Sequence, residues 1–126
     1  MKKLTVVVSV YNEVQVIELF YQELSRVLRE LDCASETIYV NDGSTDGSFE
    51  KLELLTVLDK NVKLISFARN FGHEAAMIVG IDYSEGDCII CMDADLQHPV
   101  DLIFEIVKKF EEGLSLIHIS EPTRRV

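Results

Sequence analysis

Short β-branched runs alternate along the chain with longer stretches in which apolar positions recur every three or four residues. Leu4 to Val10 predicts a strand buried on both faces, because nearly every position is apolar rather than every second one. Asn12 is placed to cap the helix that follows, whose stripe is Ile17, Phe20, Leu24, Val27, Leu28 and Leu31. Thr37 to Val40 predicts a second strand, stopped by the polar turn Asn41 to Gly47. A helix over 46–59 is suggested by Phe49, Leu52, Leu54, Leu55 and Leu58. Val62 to Phe67 predicts a third strand, and Gly72 to Tyr83 a small-residue helix with Ala75, Ala76, Val79 and Gly80. Cys88 to Met92 predicts a fourth strand, and Pro99 suits the first position of a helix carrying Leu102, Ile103, Ile106, Val107 and Phe110.

Four β-α units with short connections call for an α/β fold: a parallel sheet of about four strands with helices on both faces and right-handed crossovers. In such sheets ligands sit at the carboxyl ends of the strands. The polar clusters Tyr11-Asn12-Glu13, Asn41 to Asp46, Arg69-Asn70 and Asp93 to His98 all fall at that edge, so the topology makes one site from four segments.

Composition narrows the class of ligand. The chain has 126 residues, 48% of them apolar and 27% charged, which fits a single folded domain and excludes disordered and low-complexity classes. A formal charge of −10 argues against nucleic acid as a partner, while leaving open a phosphorylated small molecule bound through a divalent cation. Cys33, Cys88 and Cys91 are an odd number without a secretory signal, which fits a reducing cytoplasm. Cys88 and Cys91 are three apart on a strand, so they face opposite sides and read as buried thiols rather than a zinc pair. Met1-Lys2-Lys3 and the apolar run after it imitate a signal peptide, but no cleavage site precedes Tyr11. No apolar stretch approaches the roughly 20 residues of a membrane span.

Asp93-Ala94-Asp95 carries the sharpest chemistry. Residues two apart in an extended segment share a side, so both carboxylates, with the Gln97 amide oxygen, can converge at the strand end. Such hard oxygen donors suit Mg²⁺ or Mn²⁺. The plainer alternative is a turn with acidic residues at a helix start. Asp42 is placed to accept hydrogen bonds from a base or ribose, its alternative being a turn and helix cap. Neither a G-x-G-x-x-G nor a G-x-x-x-x-G-K-[ST] phosphate loop occurs.

Together the segments Val8 to Glu13, Val40 to Asp46, Ala68 to Glu74 and Met92 to Pro99 resemble the family 2 glycosyltransferases of the Rossmann-like GT-A fold. They are most similar to the branch that glycosylates polyprenyl phosphates. The resemblance spans about residues 4 to 112, with four motifs in order. It implies that Tyr11, Asn12, Glu13, Asn41, Asp42, Arg69 and Asp93 serve the nucleotide, and that Asp93 and Asp95 are catalytic. Asp95 and Gln97 would hold Mg²⁺ or Mn²⁺. It further implies a UDP- or GDP-sugar donor, a polyprenyl-phosphate acceptor, transfer with inversion, and a full-length enzyme at the cytoplasmic face of a membrane. Two departures are visible: Ser9 where many members have Pro, and Asn41 where they have Asp. His73 and His98 read as loop or cap residues.

On this basis residues 1–113 are expected to be an incomplete donor-binding domain, attached to the membrane only through a missing carboxyl-terminal part. Leu114 to Arg124 resembles a translated sequencing adapter, so 114–126 is expected to be a non-native tail; the alternative is a fifth strand over 114–119. Two other functional alternatives stand: a nucleotidyltransferase of related fold, which usually has a glycine-rich basic first loop, and an inactive truncated fragment.

Overall fold

A computed structural model describes residues 2–95 and 99–113. The elements in order are β1 (Lys3–Val10), α1 (Ile17–Arg29), β2 (Ala34–Asn41), α2 (Ser48–Leu58), β3 (Val62–Ser66), α3 (His73–Asp82), β4 (Cys88–Asp93) and α4 (Leu102–Glu111). All pairings are parallel and the sheet order is β3-β2-β1-β4.

β1 is therefore central, and its two faces are both buried. Leu4, Val6, Val8 and Val10 point into a core built with Ile17, Phe20, Leu24 and Val27 of α1, Leu52 and Leu55 of α2, and Ile103, Ile106 and Val107 of α4. Val7 points the other way, with Ile38 and Val40, onto Ala76 of α3. Three helices thus cover one face and α3 the other. The chain steps from β1 out to β3, then crosses the opposite face to reach β4 on the far side of β1. That reversal puts a topological switch point between β1 and β4, and a crevice opens at the carboxyl ends of the strands.

β1, β2 and β4 extend slightly beyond their expected bounds, whereas β3 stops at Ser66, one residue short, and several helical details differ. α1 begins at Ile17 rather than just after Asn12, and Val16 precedes it without a side-chain cap. Asn12 has left-handed backbone, φ 53°, and its side chain is spent on a neighbouring loop. The Glu13 carbonyl starts the helix instead, accepting from the N–H groups of Val16 and Ile17 at 3.0 and 3.1 Å. Leu31 lies beyond the helix end yet still packs on the core. Leu54 and Leu58, expected in the α2 stripe, are 52% and 71% exposed. Pro99 stands in the turn ahead of α4, where its carbonyl accepts from the Leu102 N–H at 3.1 Å.

Cys88 and Cys91 face opposite sides of the sheet, as expected, and all three cysteines are free. The phenol of Tyr39 packs edge-on to Phe20, 6.5 Å between ring centroids, and its hydroxyl is buried without a hydrogen-bond partner among the described residues. At the amino end of the sheet, Lys2 and Lys3 donate their N–H groups to Asp87 Oδ2 at 2.8 and 3.1 Å, which clamps the start of β1 to the start of β4. Among the described residues no helix is long and apolar enough to cross a membrane. The 114–126 segment lies outside the described residues.

Candidate active site

The loops after β1 and β2 are laced together, because short polar side chains there supply the partners that turn backbone lacks. Asp42 N–H donates to the Val10 carbonyl at 2.9 Å, which brings the two strand ends level. Asn12 N–H donates to Ser44 Oγ at 2.9 Å, and Asn12 Oδ1 accepts from Thr45 N–H at 2.8 Å. Glu13 N–H donates to Ser48 Oγ at 3.1 Å. Buried Asn41 donates through Nδ2 to Ser66 Oγ at 3.0 Å and accepts from Ser44 N–H at 3.2 Å.

Asp42 ties in the loop after β3. Its carboxylate accepts from Phe71 N–H at 2.7 Å, from Gly72 N–H at 3.3 and 3.1 Å, and from Asn70 Nδ2 at 3.1 Å, while the side chain is only 2% exposed. Gly43 lets the strands approach this closely. Its φ is +71°, and a Cβ there would collide with the backbone of Arg69 and Asn70.

The result is a crevice of about 460 Å³ lined by Ser9, Tyr11, Glu13, Asp42, Asn70, Gly72, His73, Asp93 and Asp95. Its chemistry is acidic. The Glu13 carboxyl is raised above its ordinary value, first by burial and then by the negative charges of Asp95, Asp93 and Asp46. His73 Nδ1 lies 2.9 Å from Asp93 Oδ1.

Of the residues singled out from the sequence, Tyr11, Glu13, Asp42, Asp93 and Asp95 meet in this crevice. Asn12 and Asn41, expected at the nucleotide, are not among the lining residues; their amides bond to the neighbouring loops. Arg69 is not part of the lining either, its guanidinium lying 4.6 Å from the centre of the Phe71 ring. Gln97 and His98 lie outside the described residues. The lining adds Ser9 and His73, which sequence reasoning left without a role. Strand alternation from Val7 signals the direction of Ser9. Nothing local signals the reach of His73, which depends on how α3 crosses the sheet.

Among the described residues no three or more His, Cys, Asp or Glu side chains form a ready-made metal cage. The donor chemistry nevertheless fits a cation shared with a ligand: Mg²⁺ is commonly held by one or two carboxylates together with substrate phosphates. The like charges that raise Glu13 mark where positive charge would relieve repulsion.

A parallel sheet with a polar crevice at its switch point defines an α/β domain with a ligand site at the carboxyl ends of its strands. The chain matches the profile of Glycosyl transferase family 2 over residues 5–121, and it belongs to that family. It is 42% identical to the uncharacterized glycosyltransferase YkcC of Bacillus subtilis over 121 residues, covering 96% of this chain and 38% of that protein. It is 36% identical to the prophage bactoprenol glucosyl transferase homolog of Escherichia coli K12, covering 91% of this chain and 38% of the relative. The chain thus spans under two fifths of the length of these relatives. Among solved structures, TarS of S. aureus in complex with UDP aligns with TM-score 0.66 at 24% identity, over 89% of this chain and 32% of that one. The Pyrobaculum calidifontis mannosyltransferase PcManGT, in complex with GDP-Man and Mn²⁺, aligns with TM-score 0.63 at 24% identity, over 73% and 27%. These likenesses establish the expected GT-A-like fold.

Proposed function

We propose that this chain forms the donor side of a glycosyltransferase that moves a sugar from a UDP- or GDP-sugar to a polyprenyl phosphate, with inversion. The observation that carries this is the convergence of Tyr11, Glu13, Asp42, Asp93 and Asp95 in one crevice at the switch point of the sheet. Tyr11, Glu13 and Asp42 hold the nucleoside, with Asn12 and Asn41 bracing their loops and Arg69 adding positive charge at the rim. Asp93 and Asp95 face the sugar diphosphate and its cation, a role that the resemblance extends to Gln97. When bound, Mg²⁺ or Mn²⁺ supplies Lewis-acid stabilisation of the charge on the departing nucleoside diphosphate. A phosphate acceptor is already ionised at neutral pH, so this side of the enzyme needs no general base. The bactoprenol glucosyl transferases of Shigella phages SfV and SfX, each 35% identical, support that acceptor class. Such an acceptor sits in a membrane, so the full-length enzyme would work at the cytoplasmic face, held there by parts beyond residues 1–113.

Calorimetry of the chain with UDP and GDP in the presence of Mn²⁺ tests the donor site. Heat of binding that vanishes with EDTA is expected; no heat with either nucleotide, from a chain with a folded circular dichroism spectrum, overturns it. Turnover by the complete reading frame tests the reaction. Nucleotide sugar consumed to nucleoside diphosphate is expected, whereas nucleoside triphosphate consumed to pyrophosphate makes the protein a nucleotidyltransferase.

A further inference from the structure

We infer that His73 is a positioning residue of this site, holding the Asp93 carboxylate in the orientation in which it meets the donor diphosphate. This rests on the donor-site reading given above.

The imidazole is mounted firmly. His73 is the first residue of α3 and follows Gly72, whose φ of +106° turns the chain from the loop into the helix. That turn is pinned from below, since the buried Asp42 carboxylate accepts the N–H groups of both Phe71 and Gly72. A side chain at position 73 therefore starts from a fixed backbone rather than from a loose loop tip.

From there it reaches the next strand. α3 packs on β1 and β2, and β4 pairs with β1 so that Asp93 lies opposite Ser9. The 2.9 Å contact between His73 Nδ1 and Asp93 Oδ1 joins the start of α3 to the end of β4. One bonded sequence thus runs from Asp42, on the nucleoside side, through the 71–72 backbone and His73, to Asp93 on the diphosphate side.

Stability does not account for this pair. The side chains are 55% and 40% exposed, and ion pairs so open to water contribute little to folding. Both line the crevice, so the contact matters for where a carboxylate oxygen sits relative to a ligand. The geometry needs only a hydrogen on Nδ1, which both the protonated ring and one neutral tautomer provide.

The test compares two amides that imitate different ring nitrogens: His73→Asn offers a donor near the Nδ1 position and His73→Gln near Nε2. Binding is measured by calorimetry in Mn²⁺ with UDP or GDP, whichever the unaltered chain binds. His73→Ala is expected to weaken affinity about tenfold, with His73→Gln similar and His73→Asn recovering to within about threefold of the unaltered chain. The unfolding midpoint is expected to stay the same in all three. Without ligand, the imidazole ¹⁵N spectrum is expected to show hydrogen on Nδ1, and Asp93→Asn to shift that signal. Undiminished affinity in His73→Ala, or an Asn variant no better than the Gln variant, overturns the inference and leaves the donor site standing. Failure of the unaltered chain to bind either nucleotide overturns the donor site and this inference with it.

Discussion

Glu36 Oε1 accepts a hydrogen bond from Lys63 Nζ at 2.8 Å, at the end of the sheet opposite the crevice. The Glu36 carboxylate is 2% exposed and also accepts from Thr5 Oγ1 at 2.7 Å and from Glu85 N–H at 2.8 Å. Burial pushes its pKa up, but the bonds from Lys63, Thr5 and the Glu85 backbone outweigh that and hold it at about 2, below the ordinary 4.5. The folded state therefore binds this proton less readily than the unfolded one. Its contribution to stability is complete above pH 4.5 and lost as pH falls toward 2. Glu36→Gln is expected to cost about 2–3 kcal/mol at neutral pH and to flatten the acid limb of the stability curve, measured by urea unfolding across that range.

Gly43→Ala combines a side chain in left-handed backbone with a collision against Arg69 and Asn70. A loss of about 2–3 kcal/mol is expected, together with loss of nucleotide binding, since the loop carrying Asp42 must move. Gly47→Ala meets only Val14 Cγ2, at 3.2 Å, and should cost less than about 1 kcal/mol in the same denaturation assay.

Asn12 offers two separable contributions, its left-handed backbone and its bond from Thr45. Asn12→Gly keeps the first and loses the second, whereas Asn12→Ala loses both. Costs of about 1 and 2 kcal/mol respectively are expected, with faster amide exchange over residues 42–48 in each.

Tyr39→Phe removes a buried hydroxyl that has no partner among the described residues while keeping the ring against Phe20. It is expected to leave the fold unchanged and to raise stability by up to about 1 kcal/mol in chemical denaturation.

Asp95→Asn removes one of the negative charges that raise Glu13. The Glu13 pKa, followed by carboxyl ¹³C resonances, is expected to fall toward 4.5, and stability above that pH to rise slightly because less repulsion is met on ionisation. The same change should cut nucleotide affinity in Mn²⁺ by about tenfold, measured by calorimetry.

The sheet was readable because its signal is local. Leu4 to Val10 is apolar at almost every position, and only a strand covered on both faces suits that run. The convergence of Glu13, Asp42, Asp93 and Asp95 followed from placing each loop at the same edge. Local signals misled where a residue had a competing partner. Asn12 has the chemistry of a helix cap, yet the Thr45 N–H, far away in sequence, takes its oxygen. Leu54 and Leu58 fit an apolar helix, but α2 presents only Leu52 and Leu55 among its leucines to the main core. The burial of Asn41 was not legible locally, because it is a property of the assembled sheet.

The clamp between Lys2, Lys3 and Asp87 joins the backbone that leads into β1 to a side chain made 85 residues after Lys2. As the chain leaves the ribosome, β1 can pair with β2 early, but its other edge stays bare until β4 has emerged. Until then the nascent chain carries an unpaired, strongly apolar strand edge, the kind of edge that recruits wrong partners. The pairing that covers this edge also delivers Asp93 beside Ser9, so the strand that shields β1 from wrong partners is the strand that brings the acidic pair to the crevice.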